Sequence, residues 1–232
     1  MESVLAQLAG SLIVSCQPVP GGPLDRPDIV VGFSLAALAG GAKGLRIEGI
    51  ENVVAVRVAT AAPIIGLIKR DLNNSPVRIT PFEQDVEALA KAGADIIAFD
   101  ATDRLRPAAA SALCKVAHGR GKLAMADVSS FAEARAAVGF GADLIGTTMS
   151  GYTGGEEPEE PDFNLLAEAV KLGRPVIAEG RIRTPLQAAS AIRAGAFSVV
   201  VGSAITRPEH VTSWFSNAID SARPSSREAE LR

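Results

Sequence analysis

Two ionisable side chains stand where apolar runs break off. Lys69 follows Ile64-Ile65-Gly66-Leu67-Ile68, and Glu179 follows Val176-Ile177-Ala178. A free lysine, with a pKa of about 10.4, is a poor base at neutral pH. At the mouth of a buried strand, desolvation and neighbouring cations such as Arg46 and Arg70 can lower it. It can then take a proton from a carbon beside a carbonyl, or attack the carbonyl itself and form a Schiff base. Glu179 can exchange protons with a substrate hydroxyl or ring oxygen. The structural alternatives are a lysine that snorkels from a strand end and a loop carboxylate in a salt bridge.

A second chemistry is written in "AEGRIRTP" (178–185) and "VGSAITRP" (201–208). Each puts a glycine, Gly180 or Gly202, just past an apolar run, where backbone N–H groups can approach an anion, and Arg181 and Arg207 add charge. Other chemistries lack their residues. The only histidines, His118 and His210, fall in helical stretches away from the strand ends, which disfavours a histidine metal site or a Ser-His-Asp triad. The acidic run Glu156-Glu157-Pro158-Glu159-Glu160 reads as a solvated loop and helix entry.

Strands must position these groups, and a weak repeat reveals them. Gly-Ala precedes an apolar run in "GGAKGLRI" (40–47), "AGADIIAFD" (92–100), "FGADLIGTT" (140–148) and "AGAFSVVVG" (194–202). The glycine suits a left-handed helix terminus, and the following run is short enough for a buried parallel strand. Eight strands are predicted at about 11–17, 43–48, 63–69, 95–100, 122–127, 142–148, 175–179 and 197–202. Amphipathic helices intervene. One runs from Thr80 to Lys91 with Pro81 in its first turn; another opens at Thr184-Pro185 with Leu186, Ala189 and Ile192 inward.

Eight such units predict an α/β fold, a closed (β/α)8 TIM barrel. The alternative, an open doubly wound sheet, uses fewer strands and a glycine-rich first turn that is missing here. In a barrel the active site lies at the C-terminal strand ends. The predicted ends offer Gln17, Arg46 with Glu48, Lys69, Asp100, Asp127, Thr147 with Thr148, Glu179, and Gly202-Ser203. Burying so many polar groups requires that they pair with one another or with a ligand. Asp100 and Asp127 can equally hold loop amides, and Gly66 leaves room inside the barrel.

Composition bounds the rest. The 232 residues suit one barrel domain over 1–232, with a polar tail from about 222. A net charge of −3 and a pI near 5.5 lack the concentrated basic surface that nucleic acid or an anionic membrane requires. A small anion needs only two or three local bases. Two cysteines, Cys16 and Cys114, cannot build a disulfide framework, which favours the cytoplasm. "LIVSC" (12–16) imitates a lipoprotein cleavage box, but no basic residue precedes it, and the strand reading is preferred.

The segments "SLIVSCQP", "GLIKRD", "ITPFEQDVEALAKAGADIIAFDATDRLRP", "MADVSS", "GADLIGTTMSGYTGG", "VIAEGRIRTP" and "VVVGSAITRPEHVT" together resemble the N-acetylmannosamine-6-phosphate 2-epimerase family, from about residue 11 to 214. The resemblance implies a ribulose-phosphate-binding type barrel. It implies interconversion of N-acetylmannosamine 6-phosphate and N-acetylglucosamine 6-phosphate in aminosugar and sialic acid breakdown, with no metal and no other cofactor. It places the essential lysine on Lys69 and its partner on Glu179. Substrate contacts fall on Gln17, Arg46 and Asp127, and phosphate contacts on Gly180, Gly202, Ser203 and Arg207. It also implies a homodimer with the last helix, carrying Trp214 and Phe215, in the interface. Asn73-Asn74 and Arg78, in a loop beside the mouth, depart from the family pattern, as does Pro18. Two other readings stay open on the residues alone: a lysine Schiff-base aldolase or lyase, and a silent barrel that binds a sugar phosphate.

Overall fold

A computed structural model describes residues 2–223, so most of the expected polar tail lies outside the described residues. Eight strands form, each short and buried on both faces: β1 (Leu12–Cys16), β2 (Gly44–Glu48), β3 (Ile64–Leu67), β4 (Ile96–Asp100), β5 (Leu123–Asp127), β6 (Leu144–Gly146), β7 (Val176–Ala178) and β8 (Ser198–Val201). Every neighbouring pair is parallel, and β8 pairs with β1, which closes the barrel. The strands are one to four residues shorter than predicted. Gln17, Lys69 and Glu179 therefore sit just beyond the last ladder bonds, free to point into the mouth.

The apolar runs split by alternation into two layers. Ile13, Ile65, Leu67, Ile96, Met125, Leu144, Ile177 and Val200 fill the barrel interior, and Leu8 of the first helix, α1 (Glu2–Leu8), closes that layer. Val14, Cys16, Ile47, Ile64, Ile97, Phe99 and Ile145 face outward against the helices. Gly66 belongs to this outer layer. A Cβ there would meet Ala94 Cβ at 2.8 Å and Leu89 Cδ2 at 3.2 Å, so its missing side chain admits the helix, not the barrel interior. Cys16 is buried within β1, as the strand reading requires.

The outer helices are α2 (Pro27–Ala39), α3 (Ile50–Ala59), α4 (Glu83–Ala92), α5 (Ala110–Gly119), α6 (Phe131–Gly139), α7 (Phe163–Ala169) and α8 (Pro185–Arg193). The repeat glycines turn back into the strands with left-handed φ: 105° at Gly41, 102° at Gly93, 95° at Gly141 and 97° at Gly195. After β8 come a single turn, α9 (Ser203–Thr206), and α10 (Pro208–Ser221). No helix among the described residues is long and apolar enough to cross a membrane.

Two helix expectations need correction. The helix expected from Thr80 starts at Glu83. Thr80 instead takes φ 46°, donates its hydroxyl to Ala98 O at 2.6 Å and accepts the Ile68 N–H at 3.2 Å, which stitches the segment across the ends of β3 and β4. The second helix does open at Thr184-Pro185, through a capping box with Gln187. Its Leu186, Ala189 and Ile192 are exposed, however, and Ala191 faces the barrel. An apolar groove of about 420 Å³ runs beside them, lined by Leu12, Ala188, Ile192, Val199, Val201 and Ile205.

Candidate active site

The C-terminal strand ends surround a cavity of about 400 Å³. Lys69 reaches it from beyond β3, where its backbone makes an isolated antiparallel bridge with Ile79. Its Nζ donates to Gln17 Oε1 at 2.6 Å, and Gln17 Nε2 donates to Ser15 Oγ at 2.8 Å. The Lys69 ammonium, which can only donate, fixes which way the amide faces, and the Ser15 hydroxyl accepts from its other end. Burial first, then the charges of Arg207 and Arg46, hold the Lys69 amine down at about 8, against the opposing pull of Glu48 and Glu179. Of the two cations expected to lower it, Arg46 acts; Arg70 turns outward to Asp85 at 2.6 Å, and Arg207 takes its place.

Opposite the lysine, one buried cation faces two carboxyls. Arg46 Nη2 lies 2.6 Å from Asp127 Oδ2, and Arg46 Nη1 lies 3.2 Å from Glu179 Oε2. Burial works against the Arg46 charge, but Asp127 and Glu179 outweigh it and keep it protonated. One guanidinium cannot neutralise both carboxylates. Asp127 has the shorter contact and also receives the Thr148 hydroxyl at 2.7 Å. Glu179 is left with the weaker share: burial raises its pKa to about 7, the Asp127 charge adds to this, and Arg46 opposes it. The mouth thus holds a lysine that loses its proton and a glutamic acid that keeps one within a unit of each other, a pairing suited to acid–base work.

The two threonines after β6 clamp Glu179. Thr147 Oγ1 donates to the Glu179 carbonyl at 2.8 Å and accepts its N–H at 3.0 Å, while Thr148 Oγ1 lies 3.1 Å from Oε2. On the far side, Gly180, with φ 113°, and Gly202-Ser203, opening α9, form the cavity rim together with Arg207. Arg207 Nε donates to the Gln17 carbonyl at 2.7 Å, so β1 is tied to the entrance of α10.

Of the nine residues proposed from sequence, eight line the cavity: Lys69, Glu179, Gln17, Arg46, Gly180, Gly202, Ser203 and Arg207. Asp127 is fully buried behind Arg46 and Thr148, in a supporting position. Asp100 holds its own loop, accepting from the Thr102 amide and hydroxyl and pairing with Arg104. Arg181 is also committed elsewhere. It takes φ 56°, and its buried guanidinium binds the Ser150 and Glu160 carbonyls, stapling the loop after β6. His210, set apart by the sequence pattern, lines the cavity because α10 returns across the mouth. Ser15 and Tyr152 were missed. Only the period of β1 could have flagged Ser15, two residues before Gln17 and on the same face.

Residues 30–221 match the family model described as "Putative N-acetylmannosamine-6-phosphate epimerase". The chain belongs to this family. A Pasteurella multocida relative named "Putative N-acetylmannosamine-6-phosphate 2-epimerase" is 56% identical over 95% of this chain and 96% of its own. The Brucella melitensis "Bifunctional enzyme NanE/NanK" is 59% identical over 97% of this chain, but the chain spans only 44% of that relative's length. A solved structure of the N-acetylmannosamine-6-phosphate 2-epimerase from Clostridium perfringens superposes with a TM-score of 0.90. It is 41% identical and covers 92% of this chain and 95% of that one. The barrel is thus shared with this epimerase over nearly the whole chain.

Proposed function

We propose that this chain interconverts N-acetylmannosamine 6-phosphate and N-acetylglucosamine 6-phosphate, within aminosugar and sialic acid breakdown. Family membership supports the substrate class, and one observation carries the chemistry: Lys69, depressed to about 8 and gripped by Gln17, shares a cavity with Glu179, raised to about 7.

In this reading the sugar phosphate seats its anion on the backbone of Gly180 and Gly202-Ser203, beside Arg207, where N–H groups and a cation meet it. Glu179 gives its proton to the ring oxygen as the sugar opens and takes up the proton that the C1 hydroxyl releases. The resulting aldehyde acidifies the C2 proton, and neutral Lys69 removes it. Arg46 Nη1 donates to the oxygen on which enolate charge develops. The Lys69 ammonium then returns a proton to the other face of C2 once the open-chain intermediate has turned within the cavity, which completes the inversion and regenerates the neutral amine. Asp127 keeps Arg46 charged and oriented. These steps use side chains of the chain alone. Appearance of N-acetylglucosamine 6-phosphate from N-acetylmannosamine 6-phosphate, followed by NMR with the purified protein, tests the activity; its absence overturns it. A Schiff-base lyase would instead be trapped at Lys69 by borohydride in the presence of substrate.

We also propose a single barrel domain acting as a homodimer in the cytoplasm. α10 buries no residue within its own chain, yet it carries Phe215 and Ile219, which are 69% and 61% exposed. The apolar groove along α8 and β8 lies where a barrel of this kind would set its eighth outer helix. The last helix of a second copy supplies the matching apolar face. The free thiols Cys16 and Cys114, both buried, suit a reducing compartment.

A further inference from the structure

We propose that Thr148 is a positioning residue that stations a proton on Oε2 of Glu179, by giving its own hydroxyl hydrogen to Asp127 and accepting one from the glutamic acid. The inference rests on the reading of Glu179 as the acid of the site.

The argument is a count of hydrogens. A threonine hydroxyl has one to give, yet Thr148 Oγ1 lies 2.7 Å from Asp127 Oδ1 and 3.1 Å from Glu179 Oε2. Asp127 is the stronger acceptor: burial raises its carboxyl, but Arg46 at 2.6 Å opposes this with a full charge and two hydrogen bonds, and its contact with Thr148 is the shorter one. The hydrogen therefore goes to Asp127. The remaining approach, hydroxyl oxygen to carboxyl oxygen, is attractive only with a proton between them, and Oε2 of Glu179 is its only source.

The backbone is built to bring these oxygens together. A Cβ at Gly146 would sit 2.6 Å from Asp127 Oδ1 and 3.0 Å from Thr148 Oγ1, so a side chain there would occupy their meeting place. Thr147 meanwhile fixes the Glu179 backbone through two hydrogen bonds. The stretch Gly146-Thr147-Thr148 thus provides a space, a backbone clamp and a proton station in three consecutive residues. The charged groups facing Glu179 are Arg46 from β2, Lys69 from beyond β3 and Asp127 from β5. None of them takes the proton as Thr148 does: Arg46 can only donate, the Lys69 amine is hydrogen-bonded to Gln17 rather than to Glu179, and Asp127 is engaged by Arg46.

The sign of one shift separates this role from its opposite. Infrared titration of the intact protein follows the protonated-carboxyl band of Glu179, assigned by its loss in Glu179→Gln. In Thr148→Val the midpoint falls by about one pH unit, because the acceptor that held the protonated form is gone. In Thr148→Ser it stays. An unchanged or raised midpoint in Thr148→Val overturns the proposal, since a hydroxyl donating to the Glu179 carboxylate would, on removal, raise it. Thr148→Ala gives the same readout should valine prevent folding. The double variant Thr148→Val/Glu179→Gln shows no protonated-carboxyl band at neutral pH if Asp127 stays ionised; such a band overturns the assignment. The titration needs no substrate, so it stands or falls separately from the epimerase reading. If the midpoint moves while the pH–rate profile does not, Glu179 is not the acid and Thr148 keeps its station.

Discussion

The Lys69 amine and the Gln17 amide oxygen lie 2.6 Å apart, and this contact sets the direction of the base. A neutral amine that spends one N–H on Gln17 has its lone pair aimed away from that bond, toward the cavity. Replacing Gln17 by methionine keeps the length and removes the acceptor. Misplacement of a reacting group on this scale costs about 10²-fold. The expected result is a fall in kcat of that order, read in steady-state kinetics, with the fold intact by circular dichroism.

The pH dependence follows from two opposed shifts. Activity requires Lys69 neutral and Glu179 protonated. Their values of about 8 and about 7 predict a narrow bell in kcat/KM with its maximum between them and only a minor share of enzyme in the productive form. Glu179→Gln should remove the alkaline fall and lower the rate by about 10²–10⁴-fold. A plateau from pH 6 to pH 9 in the native enzyme contradicts the assignment.

Stability carries the opposite imprint of the same lysine. The folded value of Lys69 lies below the unfolded one, so the unfolded chain binds the additional proton between about pH 8 and 10.5. Native stability therefore rises with pH through that window, and below pH 8 the folded chain bears the full cost of the confined charge. Lys69→Met should be more stable than the parent at pH 7 by about 1–2 kcal/mol, a figure reduced for the solvent that reaches this side chain. The advantage should shrink toward zero at pH 10.5. Urea unfolding at both ends of the window tests the sign; a constant gap contradicts it.

The dimer can be tested at its two faces. Light scattering of the native chain should give the mass of two copies, and Phe215→Glu on α10 or Ile192→Glu along the groove should each yield a monomer. A native monomer at tens of micromolar contradicts the proposed arrangement.

The sequence disclosed this much because parallel strands buried on both faces end where their apolar runs end. Lys69, Glu179, Gln17 and Arg46 could therefore be placed at one mouth without any pairing being known. Which way a strand-end side chain turns depends on how the strands are staggered around the barrel. Asp100 and Asp127 are paired across β4 and β5, yet one holds its own loop and the other holds Arg46. The Thr80 start of α4 was misread because its positive φ is imposed by tertiary bonds to Ile68 and Ala98, which local propensity does not contain. Thr148 drew attention only as a polar group at a strand end; its role appears when Asp127 and Glu179, far apart in sequence, share one hydroxyl.

The central claim is that Lys69 moves the C2 proton. Incubating N-acetylmannosamine 6-phosphate with native enzyme and with Lys69→Ala in D2O, and following C2 by NMR, tests it directly. The account predicts deuterium at C2 and formation of the epimer with the native chain, and neither with a folded Lys69→Ala. Undiminished C2 exchange by Lys69→Ala would contradict it.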